Sequence, residues 1–257
     1  ADIRQGYNGA KLTIRDLRTS ESRSLTTDFD RSVSDIQWSQ DSKSLWISYT
    51  DLGMVRVAKI DLRGKLRQAD IVVGGTAIGR PYTSGSFSVG GKGRLAYTLG
   101  RDDRPADVAL LRPGKTPLKL TDLNGDLMGQ RQMTRAERIT WPSSHDAMMI
   151  EGWVMKPPGF DPAKTYPMIL EIHGGPHSAY GPNYSTEAQL FAAAGYVVLY
   201  TNPRGSTSYG EQFANEIDLA YPGFDYDDLI SGVDALIDQG YVDPEQLFVT
   251  GGSGGGV

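Results

Sequence analysis

At 257 residues the chain is long enough for one large domain or two ordinary ones. A 39% hydrophobic fraction fits a globular protein, and a formal net charge of −5 argues against nucleic acid or an anionic membrane surface as a main partner. No stretch approaches the roughly 20 apolar residues that span a bilayer, and the absence of cysteine excludes a disulfide scaffold, a thiol nucleophile and cysteine metal sites.

The chain opens Ala1-Asp2-Ile3-Arg4, without Met and without the apolar core of a signal peptide. Both ends are expected to cut through structural units, as in a fragment. A soluble protein is expected, cytoplasmic or periplasmic, and the composition fixes neither compartment nor oligomeric state.

The first half reads as short strands. Lys11–Leu17, Ser34–Trp38, Ser44–Tyr49 and Val55–Ile60 alternate or run apolar, separated by turn signals at Asn8-Gly9, Gln40-Asp41-Ser42, Leu52-Gly53 and Arg63-Gly64. The half repeats: the segment from Trp38 to Ile47 has a counterpart from Phe87 to Ala96, an offset of 49 positions. Four short strands per 40–50 residues suggest β-propeller blades, with an ordinary antiparallel sandwich as the alternative. A propeller ring needs typically 4–8 blades, so residues 1–130 are expected to hold only part of one.

A domain boundary is placed near Arg131, giving a second unit over 131–257. Arg138–Trp141 and Met148–Met155 suggest an antiparallel pair, closed by the turn at Pro157-Pro158-Gly159. The rhythm then becomes strand, loop, helix. Tyr166–His173 is a near-continuous apolar run, as a strand buried on both faces should be. Thr186-x-x-Gln189 reads as a capping box, and Gly195 as the stop of the helix it opens. Tyr196–Tyr200 is the next buried strand. Asp225 or Asp227 opens a second helix whose apolar face is Leu229, Ile230, Val233, Leu236 and Ile237. Gly240 ends it, and Asp243-Pro244 leads into a third strand, Gln246–Thr250. Strands alternating with helices imply βαβ units and a parallel sheet.

That third strand runs into Gly251-Gly252-Ser253-Gly254-Gly255. The run Gly251 to Gly256 by itself would also suit a flexible linker, but a strand just before Gly-x-Ser-x-Gly is the context of a nucleophile elbow. Ser253 is the candidate nucleophile, and Gly251 and Gly255 remove Cβ atoms that would clash where strand and helix approach. His173-Gly174-Gly175-Pro176 ends the first buried strand, where a hydrolase places its oxyanion loop. The amides of Gly175 and Gly254 are assigned as the two donors that would face a tetrahedral oxyanion. His173 is expected to pack under that loop and His145 to sit exposed in a turn. His173 and His177 lack a third metal ligand, so no metal and no cofactor are expected. No substrate-binding residues are assigned. Arg204 could reach the cleft or pin its loop, and the structural role is favoured because arginines in ion-pair networks are commoner than catalytic ones.

Four motifs together resemble the prolyl oligopeptidase family, in particular its acylaminoacyl-peptidase and dipeptidyl-peptidase-like bacterial branch. They are His173-Gly174-Gly175-Pro176, the run Asn202 to Gly210, Asp227-Asp228, and Gly251 to Gly256. The resemblance covers about Arg138 to Val257, and more loosely the first half. It implies an α/β hydrolase, present here as the N-terminal part of the domain up to the elbow, preceded by part of an all-β propeller. It further implies a serine peptidase acting on short peptides through Ser253. The same resemblance puts the triad Asp and His after the serine, beyond Val257, so this chain alone is expected to be inactive and to need the missing C-terminal segment. Two alternatives stay open: an esterase acting on small acyl esters, and a catalytically inactive, propeller-based binding protein.

Overall fold

The computed structural model describes residues 6–256. In the first half, β1 (Thr13–Arg15) and β2 (Ser22–Ser24) form a two-stranded ribbon. Strands β3 (Val33–Trp38), β4 (Ser44–Asp51), β5 (Met54–Asp61) and β6 (Leu66–Gln68) follow as an antiparallel meander. A second meander comprises β7 (Phe87–Gly90), β8 (Arg94–Leu99), β9 (Asp107–Leu111) and β10 (Leu118–Lys119).

The first meander is buried on both faces, which its sequence encodes by alternation. Leu45, Ile47, Tyr49, Ala58 and Ile60 pack with Leu12, Leu25 and Val33. Trp46, Val55 and Val57, on the opposite face, pack with Phe87, Leu95, Tyr97 and Ala109 of the second meander. Gln37 joins the two first strands: its Nε2 donates to the Phe87 carbonyl and its Oε1 accepts from the Val89 amide, both at 2.9 Å. The meanders thus stack as the repeat anticipates, and the described residues close no ring.

The repeat register needs one correction. Trp46 and Leu95 face the same core, as the offset of 49 requires, but Trp38 and Phe87 are not equivalent. Trp38 ends β3 and is 51% exposed, whereas Phe87 begins β7 and is 8% exposed. Gln37 pairs with Trp46 and Val89 with Leu95, because the turn at 91–93 is shorter than the one at 39–43.

After a single helical turn, α1 (Gly125–Met128), comes a five-stranded sheet in the order β11-β12-β14-β13-β15. Its strands are β11 (Ala136–Pro142), β12 (Met149–Met155), β13 (Tyr166–Ile172), β14 (Val197–Asn202) and β15 (Val242–Gly251). β12 is antiparallel to both neighbours; β14, β13 and β15 are parallel. The β11–β12 hairpin is joined through 143–148, and the Pro157-Pro158-Gly159 turn leads out of it instead of closing it. Pro167, which has no N–H to donate, sits where the β13–β15 register shifts.

Helices α2 (Thr186–Ala193), α3 (Glu211–Asn215) and α4 (Asp225–Ile237) connect these strands. Val197 and Leu199 pack with Leu229, Val233 and Leu236 of α4. Val198 and Tyr200 pack with Ala188 and Ala192 of α2. Cover on both faces is why β14 reads as unbroken apolar sequence. Ile230, expected on the buried face of α4, is 37% exposed.

The N-cap of α2 is Ser185, whose hydroxyl accepts from the Ala188 amide at 3.1 Å. Thr186 is therefore one residue inside the helix, and the expected capping box does not form. Its hydroxyl donates to the Ile78 carbonyl, while Gln189 donates to the carbonyls of Thr134 and Asp102. The stops hold: Gly195 and Gly240 adopt φ of +99° and +83°, a region in which glycine carries no Cβ penalty.

Candidate active site

Strands β13 and β15 lie side by side, Leu170 opposite Val249 and Ile172 opposite Gly251. Both therefore deliver their following loops to the same sheet edge. β15 leads into Ser253, an exposed residue at φ +58°, which costs a non-glycine residue about 1–3 kcal/mol. The surrounding glycines make that turn possible. A Cβ on Gly251 would lie 2.3 Å from the Gly255 carbonyl oxygen, and one on Gly255 would lie 2.3 Å from that of Ile172. Both clashes are with backbone, which cannot swing aside.

The loop after β13 meets this elbow directly. A Cβ on Gly174 would stand 2.8 Å from the Gly252 oxygen and 3.1 Å from the Ser253 Cβ. One on Gly254 would stand 2.9 Å from the Gly175 oxygen and 3.1 Å from its nitrogen. Gly175 has φ +141°. The structure thus brings Ser253, Gly175 and Gly254 together.

Residues 78–83, between β6 and β7, also reach this edge, which no local sequence signal predicts. The Ile78 and Gly79 carbonyls accept the amides of Thr186 and Glu187 at the start of α2, at 2.8 and 3.2 Å. Tyr82 accepts a hydrogen bond from the Gly174 amide at 2.9 Å. Arg80 Nε donates to Glu187 at 2.9 Å and lies 3.6 Å from Glu171. A Cβ on Gly252 would lie 2.6 Å from Arg80 Nη1, so the guanidinium borders the elbow. Glu171 is fully buried, and burial pushes its carboxyl up to about 7, against a 3.2 Å hydrogen bond from the Tyr180 hydroxyl.

Residues 182–257 match the sequence description of the prolyl oligopeptidase family. Over those residues the chain is similar to the prolyl oligopeptidase family. It is 35% identical over 221 residues to the uncharacterized peptidase YuxL of Bacillus subtilis, covering 85% of this chain and 32% of that protein. With dipeptidyl-peptidase 5 of Porphyromonas gingivalis it shares 28% over 258 residues, 98% of this chain and 36% of that one. Among solved structures, an acylaminoacyl peptidase in complex with Z-Gly-Gly-Phe-chloromethyl ketone superposes with a TM-score of 0.81 at 27% identity, covering 96% of this chain and 37% of that one. The acylaminoacyl peptidase of Pyrococcus horikoshii gives 0.78 at 27% identity, covering 92% and 36%. The chain spans about a third of the length of the curated relatives it matches.

None of the three histidines is offered to Ser253. His173 is buried under the loop, its Nδ1 at 2.8 Å from the Gly174 carbonyl and its Nε2 at 2.9 Å from the Ser206 hydroxyl. Burial lowers its pKa, so the ring is neutral near pH 7 and Nδ1 donates to the carbonyl. His177 is exposed against Tyr7, with Nδ1 at 3.2 Å from the Gly205 carbonyl. His145 is exposed and stacked on Phe224.

Arg204 is structural, as read from sequence. It is buried, and its backbone N and its Nε donate to Asp228 Oδ2 at 2.8 and 2.9 Å. Its Nη2 reaches Asp228 Oδ1 at 2.8 Å, and its terminal nitrogens also hold Asp146 at 3.0 and 3.1 Å. These carboxylates raise the guanidinium's pKa, and Arg204 in turn lowers that of Asp146. The network ties the loop after β14 to α4 and to the β11–β12 turn.

Tyr221 was also missed from sequence; its hydroxyl donates to the Gly254 carbonyl at 2.8 Å. Beside it, an apolar cavity of about 300 Å³ is lined by Ile172, Pro176, Leu229, Ile230 and Val249. Among the described residues no group of three His, Cys, Asp or Glu could hold a metal ion, and no helix is long and apolar enough to cross a membrane.

Proposed function

We propose that the whole protein is a serine peptidase that cleaves short peptides through an acyl-enzyme on Ser253, with the Gly175 and Gly254 amides stabilising the tetrahedral oxyanion. The observation that carries this is the contact of the left-handed Ser253 elbow with the Gly174-Gly175 loop, two features that local sequence placed 78 positions apart. The serine oxygen attacks the scissile carbonyl, its proton passes to a general base, and the leaving amine departs. Water then hydrolyses the acyl ester. A serine hydroxyl is a weak nucleophile without an adjacent base. With all three histidines engaged or turned elsewhere, the base and its carboxylate partner come from parts of the whole protein outside this chain. The β-rich residues 1–130 belong to a propeller that limits access to short chains, and residues 131–257 begin the hydrolase domain.

The relatives' names and the bound peptide chloromethyl ketone of the acylaminoacyl peptidase support peptides as the substrate class. Fluorophosphonate labelling of the whole protein tests the nucleophile: labelling is expected in the wild type and lost in Ser253→Ala. Persistent labelling of the variant would overturn it. Comparing kcat/KM on acetylated and free-amine peptidyl anilides with that on a simple ester tests the substrate class. A preference for the ester would favour an esterase.

A further inference from the structure

The proposed oxyanion donor Gly175 follows another glycine, so no side chain restrains either residue of the pair. Two hydrogen bonds do so instead. The Gly174–Gly175 peptide carries the Gly174 carbonyl at one end and the Gly175 N–H at the other. His173 Nδ1 holds the carbonyl end at 2.8 Å. The preceding peptide, His173–Gly174, is held through its N–H by the Tyr82 hydroxyl at 2.9 Å. With both planes fixed, the direction of the Gly175 N–H is set before substrate arrives.

Tyr82 is itself held rigidly. Its ring packs edge-on against Tyr180 with centroids 4.8 Å apart, and its backbone bridges that of Tyr180. The Asn183 side chain donates to its carbonyl at 3.2 Å, and the next residue, Thr83, donates to the Ala179 carbonyl at 2.9 Å. Gly181 donates to the Pro81 carbonyl at 2.9 Å. These partners follow the oxyanion loop in the same segment, so the hydroxyl is fixed relative to the loop it serves.

We propose that Tyr82 is a positioning residue of the active site: its hydroxyl, supplied by the β-rich half, preorganises the Gly174-Gly175 backbone so that the Gly175 amide meets the oxyanion. This rests on the peptidase function proposed above. A donor aligned in advance stabilises the transition state without reorganising during the reaction. Loss of the hydroxyl should therefore act on kcat and leave substrate binding alone.

The test is Tyr82→Phe in the whole protein, which keeps the ring and its contact with Tyr180. The expected result is a fall in kcat of about tenfold, the factor that corresponds to about 1.4 kcal/mol of barrier, with KM unchanged. Affinity for a peptide boronate, which forms a tetrahedral adduct on the serine, should fall by the same factor, while product inhibition stays as in the wild type. A Tm close to wild type would show that the ring still packs. Unchanged kcat and boronate affinity in Tyr82→Phe would overturn the role of Tyr82, as would a loss that raises KM and weakens product binding equally. Ser253→Ala, assayed alongside, separates the two levels. If it retains turnover, the peptidase function fails and the role of Tyr82 with it. If it is silent while Tyr82→Phe is fully active, only the role of Tyr82 fails.

Discussion

At Gly251 and Gly255 the missing Cβ decides the local fold, because the nearest atoms are backbone carbonyl oxygens at 2.3 Å. Gly252 differs, since the obstacle there is the end of the Arg80 side chain. Gly251→Ala is therefore expected to destabilise the whole protein by on the order of 1–3 kcal/mol and to abolish serine labelling. Gly252→Ala should shift Arg80 and retain most of its stability. Thermal denaturation with fluorophosphonate labelling compares the two, and equal losses would count against this assignment of the obstacles. Glu171 supports a second prediction at this scale. Its neighbours are Tyr180, Arg80 and Glu187, and burial raises its pKa from an ordinary 4.5 to about 7. Between those values the folded state holds a proton that the unfolded state has lost, so stability falls as pH rises through this window. Glu171→Gln cannot ionise, so relative to wild type it should gain on the order of 2–3 kcal/mol between pH 4.5 and pH 8. Denaturation at both pH values measures this, and parallel pH profiles for variant and wild type would refute it.

Among the elements, α2 and α4 show how side chains locate a helix in the sheet. The Ser185 hydroxyl caps α2 and also donates to the Gly79 carbonyl at 3.1 Å, so the cap fixes both the helix and the loop that carries Arg80 and Tyr82. Ser185→Ala should cost about 1 kcal/mol, read from the denaturant midpoint. The Arg204–Asp228 pair is almost wholly buried, with side chains 2% and 0% exposed. Removing one partner leaves the other charge unpaired. Arg204→Met is expected to lose about 3–5 kcal/mol, and a double variant with Asp228→Leu to recover much of that loss. A double variant no more stable than Arg204→Met would show that the pair does more than compensate its own burial.

Across the whole molecule the two halves meet at the β4–β5 hairpin tip. Leu52 and Gly53 donate to the Ser208 carbonyl and hydroxyl at 3.0 and 2.7 Å. Gly53 sits at φ +70°, where a Cβ would lie 2.5 Å from the Trp153 ring and 2.7 Å from the Tyr180 carbonyl oxygen. Gly53→Ala should therefore disturb Tyr180, and through it Tyr82, although residue 53 belongs to the β-rich half. A drop in Tm together with a slower kcat is expected. A variant of wild-type stability and activity would show that the halves tolerate separation at this point.

The sequence by itself determined the β-meanders, the parallel strands with their helices, and the glycine-rich loops at Gly174-Gly175 and around Ser253. These depend on alternation, apolar runs and glycines, which act over a few residues and can be read where they stand. It also favoured a structural role for Arg204, because arginines in ion-pair networks are commoner than catalytic ones, and a packed His173 at the end of its apolar run. The tertiary structure decided what stands beside Ser253: Arg80 next to Gly252, the Tyr221 hydroxyl on Gly254, and Tyr82 on the Gly174 amide from 92 positions away. An isolated arginine or tyrosine in an all-β segment carries no local signal of such a contact. Only the packing of one half against the other creates it, by ordering residues 78–83 across the N-terminus of α2 and the loop that follows β13.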